Sequence, residues 1–264
     1  MKVFLWVMTI WFAICNAQSV GLNHEIENPN FNFDLMVEKE DGHKVPLGEI
    51  SNGKPMVLGF VYYGCASMCT LFLNGLISSL ERAPEKFLPG ENYHLAVLSI
   101  DHKENPGLAR QKKEAVLEKL KGKIKPENWS FLTADSLTIS KLTSGVGFTF
   151  QKVEGGYSHT SALFIANKQG RVGSIIEGQS FFPMEIGLGV QVAKSGAFSP
   201  IVKRFVEFCF VKDPAGRGMY FDFLKVIGIC ILVIIISTVW ILTKLIRRRQ
   251  INEVELEEAV HGRA

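Results

Sequence analysis

The chain has 264 residues, 47% hydrophobic, 21% charged and 11% aromatic, a balance that excludes a disordered or collagen-like protein and permits a sizeable core. Its 29 Lys and Arg against 26 Asp and Glu leave a net charge of only +3, without the broad basic field of a nucleic-acid binder. Mean hydropathy is +0.16, and two apolar segments, one near each end, account for it.

The first segment starts Met1-Lys2, runs apolar from Val3 to Ile14 and reaches Cys15-Asn16-Ala17, which predicts a secretory signal over 1–17. As a helix the apolar stretch rises about 18 Å, too little for the roughly 30 Å hydrocarbon core of an uncleaved anchor. Ile14 stands where a lipoprotein signal needs a small residue before Cys15.

An exported domain over 18–222 follows, with its core over about 30–195. Met56 to Tyr63 is an apolar, aromatic and β-branched run that reads as a buried strand ended by Gly64. Cys65-Ala66-Ser67-Met68-Cys69 comes next, and from Cys69 the positions Phe72, Leu73, Leu76, Ile77 and Leu80 form one helical face. Tyr93 to Ile100 reads as a second buried strand before Asp101. Pro106 opens a helix to Lys121, whose lysines read as a solvated face. Ser136 is expected to cap a short helix that Gly145-Val146-Gly147 breaks. A loop through Glu154-Gly155-Gly156-Tyr157-Ser158-His159-Thr160 leads to a strand over Ser161–Ala166, which the Asn167–Gly170 turn pairs with Arg171–Ile176. Pro183 starts a last amphipathic helix. Strand, helix, strand, helix, hairpin and helix is the order of a thioredoxin-like α/β domain.

The second apolar segment, Val226 to Thr243, carries no charge and predicts a transmembrane helix over 224–246. Lys244, Arg247, Arg248 and Arg249 place the tail, 247–264, in the cytoplasm. In a bacterium this topology is a single-pass inner-membrane protein with its domain on the periplasmic side.

Of five cysteines, Cys15 leaves with the signal and Cys230 falls in the span. Cys65, Cys69 and Cys209 remain, an odd set that argues against a simple disulfide scaffold. Cys65 and Cys69 lie where a buried strand turns into a helix, whose unpaired N–H groups and positive end favour thiolate. Their spacing allows a redox disulfide or a shared metal ion, and two inert buried thiols are the bland alternative. His159 alone would read as a structural histidine, and His24, His43, His94, His102 and His261 have no better claim from spacing.

Val61-Tyr62-Tyr63-Gly64-Cys65-Ala66-Ser67-Met68-Cys69, then Ser99-Ile100-Asp101, then Tyr157-Ser158-His159-Thr160 before a strand, resemble in content and order the Sco/SenC family of thioredoxin-like copper proteins. The resemblance covers roughly 30–195. It implies that Cys65, Cys69 and His159 bind a copper ion, Cu(I) or Cu(II); two soft thiolates with one imidazole suit copper, and Cu(I) accepts three ligands. Asp101 matches an acidic position near that metal, supporting the site or facing a partner. The resemblance also implies copper delivery to the dinuclear copper centre of a respiratory haem–copper oxidase. Thr70 stands where the family has Pro after the second cysteine, and His102 where Pro often follows the Asp. The C-terminal anchor differs from the family's usual N-terminal one.

A thiol–disulfide oxidoreductase that uses Cys65 and Cys69 to keep acceptor cysteines reduced is the alternative. A membrane sensor is disfavoured by a tail too short for an output domain. A peroxidase usually shows a lone peroxidatic cysteine in a different loop.

Overall fold

The computed structural model describes residues 20–23, 26–64, 68–196, 210–212, 219–221, 227–228 and 231–244. The chain divides into two compact units, Met1–Arg204 and Phe205–Ala264.

The first unit contains the strands β1 (Gly21–Leu22), β2 (Met36–Lys39), β3 (Lys44–Pro46), β4 (Met56–Val61), β5 (His94–Ser99), β6 (Trp129–Thr133), β7 (Phe148–Val153), β8 (Gly156–His159), β9 (Ala162–Ala166) and β10 (Val172–Glu177). Its α-helices are α1 (Leu47–Ile50), α2 (Met68–Arg82), α3 (Pro106–Leu120), α4 (Ser136–Ser144) and α5 (Pro183–Ser195). One sheet has the order β10-β9-β4-β5-β6-β2-β3, and β1, β7 and β8 form a smaller one in the order β1-β7-β8. In the large sheet β4, β5 and β6 are parallel, while β9 runs antiparallel to β4.

β4 and β5 are buried at every position, as the apolar run of a strand covered on both faces requires. The two-residue repeat of a strand divides their side chains. Val57, Val61, Leu95 and Val97 join a core with Phe72, Leu76 and Leu80 of α2, Val116 of α3 and Val190 of α5. Met56, Leu58, Phe60, Ala96 and Leu98 join a second core with Phe31, Leu47, Leu142 and Phe148. This is a three-layer thioredoxin-like α/β domain. Gly75 lets α2 approach the chain after β10, because a Cβ there would lie 1.9 Å from the Gln179 carbonyl oxygen.

The expected strand before the cysteines, the helix after them, the Pro106 helix, the β9–β10 hairpin and the Pro183 helix are all present. Four readings change. Asp135, not Ser136, caps α4, accepting from Thr138 N at 2.9 Å. The segment read as a loop before His159 is the strand β8, paired antiparallel with β7 across a turn at Glu154-Gly155. β6, an additional central strand, pairs with β5. Lys113 is not on a solvated face: it pairs with Glu40, and the two side chains are only 11% and 12% exposed.

In the second unit, β11 (Phe210–Lys212) pairs with β12 (Met219–Phe221), and residues 231–244 are helical with exposed side chains. The segment expected to span the membrane, 224–246, is thus described only in part. Among the described residues no helix is long and apolar enough to cross a membrane. The signal expected over 1–17, Cys209, Cys230 and the tail over 247–264 lie outside the described residues.

Candidate thiol and metal site

Parallel strands deliver their carboxyl ends to one edge of a sheet, where crevices form in α/β domains. Val61 ends β4 opposite Ser99, which ends β5, and Ile100 N donates to the Val61 carbonyl at 2.8 Å. Tyr62, Tyr63 and Gly64 then lead from β4 toward the C-x-x-x-C segment. Cys65 lies outside the described residues. Cys69 is the second residue of α2, and its side chain is likewise outside them.

Antiparallel pairing brings His159 to the same edge. Gly59 pairs with Leu163, so extending β4 forward runs back along the chain from β9 toward His159. Contacts on β8 agree: the Tyr157 ring lies 5.4 Å from that of Tyr62, and a Cβ on Gly156 would sit 3.1 Å from Tyr62 Cε1. Half-buried, the His159 ring packs 5.9 Å from that of Phe148. His159 Nδ1 is 2.7 Å from the Thr160 carbonyl oxygen. That oxygen only accepts, so Nδ1 carries the hydrogen in the neutral ring and Nε2 the lone pair, the tautomer suited to metal ligation through Nε2. Burial holds the His159 pKa below its ordinary value despite the opposing pull of the Thr160 carbonyl, which favours the neutral form a metal requires.

Asp101 lies just beyond β5. Its Oδ1 accepts from Lys103 N at 3.0 Å. Burial first, then the charge of Asp101, raise the Tyr157 pKa. The charge of Asp101 is therefore felt on the strand bearing His159.

Glu104 was not singled out by the sequence. Its Oε2 accepts from Tyr63 N at 2.9 Å and from Ser99 Oγ at 2.5 Å, and its Oε1 accepts from Gly64 N at 2.5 Å. Burial pushes its pKa above the ordinary value, against the pull of these donors. The available signal was an acidic residue in the short connection between a buried strand and a Pro-started helix.

Of the three expected ligands, only His159 has a described side chain. Among the described residues no three His, Cys, Asp or Glu side chains gather into a metal site.

The fold defines a thioredoxin-like α/β protein, and solved structures of low identity share that fold, Sco/SenC proteins among them. A putative electron transfer protein from Aquifex aeolicus is 18% identical with a TM-score of 0.56, over 64% of this chain and 95% of that one. A SCO1/SenC family lipoprotein from Bacillus anthracis is 20% identical with a TM-score of 0.51, over 65% and 99%. BsSco, a member of the Sco family of cytochrome c oxidase assembly proteins in which a disulfide switch was identified, is 18% identical with a TM-score of 0.50, over 67% and 98%. No protein-family model matches the chain, and no curated protein matches its sequence.

Proposed function

We propose that this protein is a copper metallochaperone whose cargo is held by Cys65, Cys69 and His159 and passed to the dinuclear copper centre of a respiratory haem–copper oxidase. The observation that carries this reading is the meeting of two segments at one sheet edge: the chain leading from β4 into the cysteine turn, and β8, which ends in His159. A neutral imidazole with its lone pair on Nε2 suits it to complete a site begun by two thiolates. The likeness in fold to a member of a family of cytochrome c oxidase assembly proteins supports the choice of acceptor. The reading includes a signal over 1–17 and a membrane helix over 224–246, which would hold donor and acceptor on one periplasmic surface and raise their effective concentration.

Ligand exchange moves Cu(I) from one thiolate set to another without releasing it to water. Copper quantification on the full-length chain tests the ligand set. About one copper ion per chain is expected for wild type, with loss on Cys65→Ala, Cys69→Ala and His159→Ala. Equal copper in wild type and His159→Ala would overturn it.

The disulfide switch identified in BsSco favours a second reading, in which Cys65 and Cys69 cycle between dithiol and disulfide to reduce an acceptor. That chemistry needs both sulfurs but not the imidazole. Full rescue of oxidase assembly by His159→Ala would select it.

A further inference from the structure

The chain just before Cys65 is fixed by a carboxylate from elsewhere in the domain. Glu104 lies between β5 and α3, yet it accepts both backbone N–H groups of the dipeptide Tyr63-Gly64. The same carboxylate accepts from Ser99 Oγ, and Ser99 Oγ accepts from Asp101 N at 3.0 Å. One side chain thus joins the ends of β4 and β5 and the Asp101 turn. Gly64 leaves the room for this: a Cβ there would fall 3.2 Å from Glu104 Oε1 and 2.9 Å from the Tyr62 hydroxyl. The Tyr63 phenol secures the dipeptide from the other side, donating within the core to the carbonyls of Val97 and Leu132, at 3.1 and 3.0 Å.

Two N–H groups at the end of a strand have no sheet partner by default, and water would serve for them in a mobile loop. A carboxylate that takes both converts that loop into a defined platform. We infer that Glu104 is a positioning residue for the Cys65–Cys69 pair, setting where the first sulfur stands relative to the helix start by holding the backbone of Tyr63 and Gly64. This rests on the reading of Cys65 and Cys69 as the working thiols. Glutamine at 104 would keep one acceptor oxygen for three donors, and alanine would keep none.

The test uses the full-length chain as wild type, Glu104→Gln, Glu104→Ala and Val190→Ala, the last a core-cavity control on α5. The equilibrium constant of the Cys65–Cys69 disulfide is measured in a buffer of reduced and oxidised glutathione, alongside amide hydrogen exchange at Tyr63 and Gly64. Glu104→Ala is expected to lose protection at both amides and to shift the constant roughly tenfold, the scale of one charged hydrogen bond. Glu104→Gln should fall between it and wild type, and Val190→Ala should leave the constant unmoved. An unchanged constant in Glu104→Ala, or an equal shift in Val190→Ala, overturns the proposal. The glutathione equilibrium uses no metal, so a wild-type chain that takes up no copper refutes the copper reading and leaves this test intact.

Discussion

The ring of Tyr157, two residues before His159, meets the ring of Tyr62 edge to face at 5.4 Å. That contact joins the chain leaving β4 to the small sheet that carries the imidazole. The strand that ends in His159 is therefore tied to the segment leading to the cysteines by a protein contact that does not require copper.

Tyr157→Ala removes the ring that packs against Tyr62 and Phe150. Thermal unfolding should show a cost of about 1–3 kcal/mol. Competition with a Cu(I) chelator should show weaker copper retention at unchanged stoichiometry, because the ligands remain and only their support loosens.

His94 gives the domain an acid-sensitive core. Burial first, then Lys113 and Lys54, hold its pKa down to about 4, and its Nε2 lies 2.9 Å from Ser130 Oγ. An unfolded histidine takes its proton near pH 6.5, so between about 6.5 and 4 the unfolded chain binds more protons. This contribution is fully present above 6.5 and is lost as pH falls through that window, to a limit on the order of 3 kcal/mol. Urea unfolding at pH 7 and pH 4.5 should show the decline, and His94→Asn should flatten it.

The Lys113–Glu40 pair is largely but not fully shielded from solvent, and Glu40 Oε2 also accepts from Phe131 N at 3.1 Å. Lys113→Met should destabilise by about 1–3 kcal/mol, since it leaves a largely shielded carboxylate without its cation. Adding Glu40→Gln should recover much of the loss, and a double-mutant cycle by urea unfolding measures the coupling.

Gly75→Ala opposes two effects of known size. Helix propensity alone would stabilise the chain by about 1 kcal/mol. The new Cβ, however, would fall 1.9 Å from the Gln179 carbonyl oxygen, a contact between backbones that no rotamer relieves. Overpacking of this kind costs about 1–3 kcal/mol or more, so a lower melting temperature is expected.

The elements around the cysteines were legible because their signals are local. An apolar run bounded by Gly64 marks β4, and the spacing from Phe72 to Leu80 marks the buried face of α2. β8 was not, since Gly-Tyr-Ser-His has neither an apolar run nor a clean alternation, and it becomes a strand by pairing with β7. Lys113 looked solvated within a lysine-rich helix, because Glu40, 73 residues away, meets it only after folding.

By itself the sequence determined the thioredoxin-like order of strands and helices, a C-x-x-x-C motif lying along the chain between β4 and the first turn of α2, and the apolar segments near both ends. Tertiary structure alone decided which polar groups gather near the carboxyl ends of β4 and β5: His159 through the antiparallel register of β9 on β4, and Glu104 through the N–H groups of Tyr63 and Gly64. The reason is physical. Periodicity and turn chemistry act over a few neighbouring residues, whereas a carboxylate finds its donors only where packed strands bring distant backbone together.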